Sequence, residues 1–185
     1  MKRKKQVRGR GFNPFDFELF KQPKISKIIE AKVRQDESII YGARAMNRQI
    51  AGLVSRPTED YDIYTNQPRK TALFIEKKLD REVALGRNDY YVKPAIHGGT
   101  WKVMYVGYDK KKGTPDDKGI VDYTKPTTKI KVVRLNGISY EALSNIVKVK
   151  KAILKDKESK YRWEKDRNDL IRIKFAKQNN LALKE

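Results

Sequence analysis

The sequence predicts an α+β fold: a mixed, mostly antiparallel sheet with helices packed on it, followed by a C-terminal helical hairpin. Three observations carry that prediction. Apolar residues recur at helical spacing at Ile25, Ile28, Ile29 and Val33, and less regularly at Leu73, Ile75, Leu79 and Val83. Short β-prone runs bounded by turn residues occur at Ile39 to Tyr41, Asp60 to Tyr64, Tyr90 to Ile96, Thr100 to Tyr108, Gly119 to Thr124 and Thr127 to Leu135. From residue 136 onward the pattern reads as helical. The chain divides on this reading into a basic tail (1–11), a core (12–135) and a C-terminal helical region (136–185).

Composition bounds the rest. At 185 residues the chain is one domain, or one domain with an appendage, and 38% hydrophobic residues suffice for a modest core. There is no cysteine, which removes disulfides and Cys-ligated zinc. A single histidine, His97, argues against His-rich metal sites; it sits in a Gly-rich turn and reads as incidental rather than as an acid–base group. No apolar run approaches membrane-spanning length, and the basic N-terminus lacks a signal-peptide apolar region. The expected location is the cytoplasm, or a virion if the chain is viral. Forty-three Lys and Arg against 23 Asp and Glu give a net charge of +20. Such an excess calls for a polyanionic partner, and nucleic acid, RNA ahead of DNA, is the first candidate. A basic surface of the kind seen in heat-adapted proteins is the other reading.

The elements follow in order. The tail carries Lys2, Arg3, Lys4, Lys5, Arg8 and Arg10 without an apolar period; it is either a phosphate-gripping arm or a solvated terminus. Phe12, Phe15, Phe17 and Phe20 read as packing residues. Ile25 to Gln35 is an amphipathic helix. Pro68 can start the next helix and Gly86 can end it. Pro94 marks its strand as an edge. The strands at Thr100 to Tyr108 and Gly119 to Thr124 form a hairpin with a long polar loop. Thr127 to Leu135 is expected as the last strand, and Asn136-Gly137 as a turn. Ser139 is expected to cap a helix from Tyr140 to about Leu154. A second helix is expected from Ser159 to Ala176, with Trp163, Leu170, Ile171 and Ile173 packing.

The chemistry centres on Ser38 to Thr65. A short apolar run meets a tight turn at Gly42-Ala43, a helical segment follows, and a loop with Arg56, Pro57 and Thr58 leads to Asp60-Tyr61-Asp62. Residues i and i+2 share a strand face, so Asp60 and Asp62 repel unless a cation sits between them. Oxygen ligands of this kind suit Mg²⁺; a solvated strand face is the alternative. Strand, small-residue turn, helix and D-x-D strand together resemble the DNA polymerase beta-like nucleotidyltransferase superfamily. The R-x-T-x-D-x-D form (Arg56, Thr58, Asp60, Asp62) is most similar to AbiEii-type toxin nucleotidyltransferases. Two departures stand out: Ala43 replaces the family's Gly or Ser, and the spacer from turn to carboxylates is longer.

The resemblance implies an activity and a site. It implies Mg-dependent transfer of a nucleotidyl group from an NTP to a hydroxyl, such as the end of a structured RNA. Asp60, Asp62 and Asp122 would be catalytic and hold two Mg²⁺ ions, with Asp122, on a later strand, as general base. Gly42 and Ala43 would admit the triphosphate close to the backbone, Arg44 and Asn47 would contact phosphate or ribose, and Arg56, also grouped with the nucleotide site, would steady the metal-binding loop or pair with an acid. Lys165-Asp166-x-x-Asp169-Leu170 resembles the family's C-terminal motif, and implies that Lys165, Asp166 and Asp169, with Lys148 or Lys150 from the preceding helix, bind nucleotide. On the same residues, a surface ion-pair network is the plain alternative. The competing function is a non-catalytic, basic nucleic-acid-binding protein, a packaging, virion or ribonucleoprotein component on a degenerate transferase fold. An antitoxin is a further candidate partner.

Overall fold

The computed structural model describes residues 23–96 and 98–183. The expectations for the basic tail, for Phe12 to Phe20 and for His97 lie outside the described residues.

The chain order is α1 (Pro23–Gln35), β1 (Ile39–Tyr41), α2 (Gly42–Gln49), a 3-10 turn (Gly52–Val54), β2 (Tyr61–Tyr64), α3 (Pro68–Glu82), β3 (Tyr90–Pro94), β4 (Thr100–Tyr105) and β5 (Lys118–Thr124). It continues with β6 (Val132–Leu135), β7 (Ile138–Glu141), α4 (Leu143–Ile153), a second 3-10 segment (Lys157–Arg162) and α5 (Trp163–Gln178). Among the described residues seven strands form one sheet in the order β3-β4-β5-β2-β1-β7-β6. Four pairings are antiparallel. Two are parallel, β1 with β7 and β2 with β5. The predicted α+β class holds, and Pro94 does lie on an edge strand.

Strand alternation decides what the sheet buries. Tyr61 and Ile63 of β2, and Val121 and Tyr123 of β5, are buried in the main core. Helix α1 adds Ile25, Ile28, Ile29 and Val33 to that core. Helix α3 adds Ala72, Ile75 and Leu79, while Leu73, expected in its stripe, is exposed. The residues between them in β2 and β5, Asp62, Tyr64, Asp122 and Thr124, point away from this core and are only half-buried.

One expectation is corrected. Ser139 does not cap a helix; it lies in β7, which pairs with β6 and with β1. Asn136 and Gly137 both have positive φ, +50° and +75°. Two such residues make the tight hairpin turn whose twist matches antiparallel strands, so the chain folds straight back. Ile138 and Tyr140 then bury on alternate positions. Helix α4 starts only at Leu143, without a side-chain cap from Ala142. Gln49 serves instead. It is buried, its Oε1 accepts from the Leu143 N–H at 3.2 Å, and its Nε2 donates to the Ala45 and Glu141 carbonyls. That one side chain fastens α2 to the β7–α4 junction. Among the described residues no helix is long and apolar enough to cross a membrane.

Candidate active site

Register brings the carboxylates together. In the parallel β2–β5 pair Asp62 lies opposite Asp122 and Tyr64 opposite Thr124. Tyr41 of β1 lies opposite Asp62, and Lys102 of β4 opposite Asp122. The rings of Tyr41 and Tyr64 stack with centroids 3.9 Å apart, and the Tyr41 hydroxyl shares a 3.1 Å hydrogen bond with Thr124 Oγ1. Asp60 stands just before β2 and is exposed. All three acids line one open cavity of about 1000 Å³, with Gly42 and Ala43 also on its wall. The cations Arg56, Lys102, Lys118, Lys150, Arg162 and Lys165 line it too. That volume accommodates a nucleotide-sized ligand.

The charges act on one another. Burial pushes the Asp62 carboxyl up to about 7, helped by the Asp60 and Asp122 charges and opposed by Lys165 and Lys102. Burial also raises Asp122, against the pull of Lys102, whose Nζ donates to Asp122 Oδ2 at 2.6 Å. A carboxylate whose ionisation is opposed by burial and then by two neighbouring acids is one that a cation would ionise. The donors are hard oxygens, which suits Mg²⁺. Among the described residues, however, no three acid, His or Cys side chains stand close enough to form a ready metal-holding group. Asp60 and Asp62 fit one divalent cation. Asp122 is already paired.

The loop before β2 is held from behind. Arg44 donates to the Asp60 and Glu59 carbonyls at 2.6 and 2.9 Å while its guanidinium lies 3.6 Å from the Tyr61 ring centroid. Asn47 donates to the Arg56 carbonyl and accepts its N–H. Neither Arg44 nor Asn47 lines the carboxylate cavity. Both border a separate cavity of about 270 Å³ with Glu30, Arg48 and Tyr61. Expected at phosphate or ribose, these positions on helix α2 are here turned toward the loop backbone. Thr58 Oγ1 donates to Asp60 Oδ1 at 3.3 Å.

The C-terminal motif is an anchor rather than a lining. Asp166 and Asp169 are fully buried and do not border the cavity. Lys150 Nζ pairs with both, at 2.9 Å from Asp169. Arg56 Nε donates to Asp169 Oδ1 at 2.8 Å, and Arg162 and Arg172 stand nearby. Against the opposing effect of burial, Arg56 and Lys150 hold Asp169 below the usual carboxylate range. Asp166 and Asp169, expected at the nucleotide, are here bound to side chains of this chain. Lys148 is exposed and off the cavity, whereas Lys165 is exposed and on it. Arg56 pairs with an acid, one of its two expected roles.

Lys102, Lys118 and Glu141 line the cavity with nothing in the residue types to single them out. Lys102 could be found only through the β4–β5 register. Glu141, buried on β7, accepts hydrogen bonds from the Asn145 amide and from the Gly42 N–H. The turn N–H expected at a triphosphate therefore already holds a carboxylate.

No family model matches the chain, and a search of the curated proteins finds no match. Solved structures do resemble it. A polyadenylate synthase from Megavirus superposes with a TM-score of 0.64 at 15% identity, covering 95% of this chain and 40% of that one. The fold is nucleotidyltransferase-like. JHP933 from Helicobacter pylori superposes with a TM-score of 0.51 at 12% identity, covering 83% of this chain and 64% of its own. The chain thus spans less than two thirds of either protein. At such identities the likeness speaks for the fold, and the chemistry rests on the site.

Proposed function

We propose that the chain transfers a nucleotidyl group from a nucleoside triphosphate to a hydroxyl, with the end of a structured RNA as acceptor. The observation that carries this reading is the in-register pair Asp62–Asp122, with Asp60 two residues upstream, opening on a cation-lined cavity in a nucleotidyltransferase-like fold. Asp60 and Asp62 would hold Mg²⁺, which when bound polarises phosphate oxygens as a Lewis acid. Lys165, Lys118 and Arg162 supply positive charge along the cavity wall for the triphosphate. Asp122 takes the proton of the attacking hydroxyl, whose oxygen bonds to the α-phosphorus; the bond to the bridging oxygen breaks and pyrophosphate leaves. The net charge of +20 suits a polyanionic acceptor.

The test is incorporation of each labelled NTP into RNA and DNA oligomers, with thermal shift for each NTP with and without Mg²⁺. Nucleotide is expected to stabilise wild type only when the metal is present. The Asp60→Ala/Asp62→Ala variant is expected to stay folded and lose both signals; retained transfer would overturn the reading.

A second reading has one observation in its favour. Glu141 occupies the Gly42 N–H, and Ala43 offers no hydroxyl beside it. A degenerate transferase that binds nucleic acid without chemistry, as a packaging or virion component, would tolerate both. Binding of RNA without any NTP- and Mg-dependent shift would select it. Within the enzyme reading, the R-x-T-x-D-x-D segment favours an AbiEii-type toxin role with an antitoxin partner.

A further inference from the structure

We propose that the Lys102 ammonium takes the place of a second metal ion, so that the site works with one divalent cation on Asp60 and Asp62 and one built-in positive charge on Asp122. This inference rests on the nucleotidyl-transfer reading and replaces the two-ion arrangement that the sequence resemblance implies.

Lys102 does not reach Asp122 by chance of a long side chain. The two are direct partners across β4 and β5, where side chains of opposed residues stand close together on one face. The ammonium sits 2.6 Å from Asp122 Oδ2, with the carboxylate only 17% and the lysine 34% exposed. Its field also reaches Asp62. An ammonium has three donors and no lone pair, so it cannot join a metal's ligand set. It repels a divalent cation at the carboxylate it already neutralises. Asp60 and Asp62 differ: among the described residues neither makes an ion pair, and only the fields of Lys165 and Lys102 offset the Asp60 charge at Asp62. One vacant pair and one filled carboxylate divide the three acids into a metal site and a lysine site.

The test counts bound Mn²⁺ on the full chain by electron paramagnetic resonance, without nucleotide. Wild type is expected to take up one Mn²⁺, and Asp62→Asn none. Lys102→Met is expected to take up a second ion, Lys102→Arg to remain at one, and Lys102→Met/Asp122→Asn to return to one. Near-UV circular dichroism checks that each variant is folded; Lys102→Gln, which keeps a donor for Asp122, replaces Lys102→Met if the latter is not. Two ions on wild type would overturn the one-ion arrangement while leaving nucleotidyl transfer intact. A single ion on folded Lys102→Met would overturn it as well. No Mn²⁺ on wild type, together with no NTP-dependent thermal shift, would overturn the transfer reading and this inference with it.

Discussion

The Asp62 carboxylate fills the space that a side chain on Gly42 would need. A Cβ built on Gly42 would lie 2.5 Å from Asp62 Oδ2 and 3.3 Å from its Cγ, and Gly42 has a φ of +68°. A left-handed residue with a side chain costs about 1–2 kcal/mol before any clash. Gly42→Ala is therefore expected to lower stability by roughly 2–3 kcal/mol in urea unfolding, and to abolish the nucleotide- and Mg-dependent thermal shift by displacing Asp62. Gly86 is the control: its φ is +87° but nothing lies within 4 Å. Gly86→Ala is expected to cost about 1 kcal/mol and leave nucleotide binding unchanged.

The raised Asp62 gives a signed pH dependence. Its carboxyl moves from 3.8 when unfolded to about 7 when folded. Between those values the folded state holds a proton that the unfolded state has lost. Stability from this group is complete below about pH 4, and it is lost as pH rises to about 7. Asp62→Asn removes the titration, so its stability relative to wild type should climb across that window. The gain should reach roughly 2–4 kcal/mol above pH 7, read from urea unfolding at a series of pH values. A divalent cation must displace the same proton, so Mg²⁺ affinity of wild type should rise across the window and level off above pH 7. A flat profile in either measurement would contradict the buried acid cluster.

The D-x-D strand was legible because alternation has a period of two and any β2 built on Tyr61 and Ile63 turns Asp62 the other way. Asp122 was legible for the same reason on β5. Lys102 was not. A long loop, residues 106–117, and a register shift between Val103 and Met104 separate it from its partner, and neither can be read from residue types. The motif on α5 shows the opposite limit. Spacing placed Asp166 and Asp169 on one face but could not say that the face is inward. The buried stripe is Asp166, Asp169, Ile173 and Ala176, half of it charged. Hydrophobic periodicity cannot see such a stripe, which is why Ile171 was expected to pack and is instead 58% exposed. The Asn136-Gly137 hairpin is legible as a turn, yet residue types assign its strand partner to a helix, because Leu143, Val147 and Leu154 fit one helical face that can be run back to Tyr140.

Lys150 is expected to be a stability residue. Its ammonium lies between Asp166 and Asp169, both fully buried. Removing one partner of a buried ion pair leaves charge without compensation and costs about 3–5 kcal/mol. Lys150→Met should show a loss of that size in urea unfolding, and Lys150→Met/Asp166→Asn should recover part of it by removing the orphaned charge. Equal stability of the single variant and wild type would mean that Arg56 and Arg162 alone balance the two acids.

Lys165 and Asp166 are neighbours in sequence with opposite duties. Asp166 is buried against Lys150, and this fixes the rotation of α5 so that the exposed Lys165 borders the cavity and draws Asp62 down. Lys165→Ala removes an exposed side chain, so unfolding stability should stay within about 0.5 kcal/mol of wild type. It also removes one opposing charge from Asp62, so the pH profile of Mg²⁺ affinity should shift upward. Loss of one phosphate partner should raise the KM for NTP about tenfold, the equivalent of about 1.4 kcal/mol. Asp166→Asn should do the reverse, lowering stability while leaving the Mg²⁺ pH profile in place. If Lys165→Ala instead unfolded the chain and left KM unchanged, the lysine would belong to the buried ion cluster and not to the cavity.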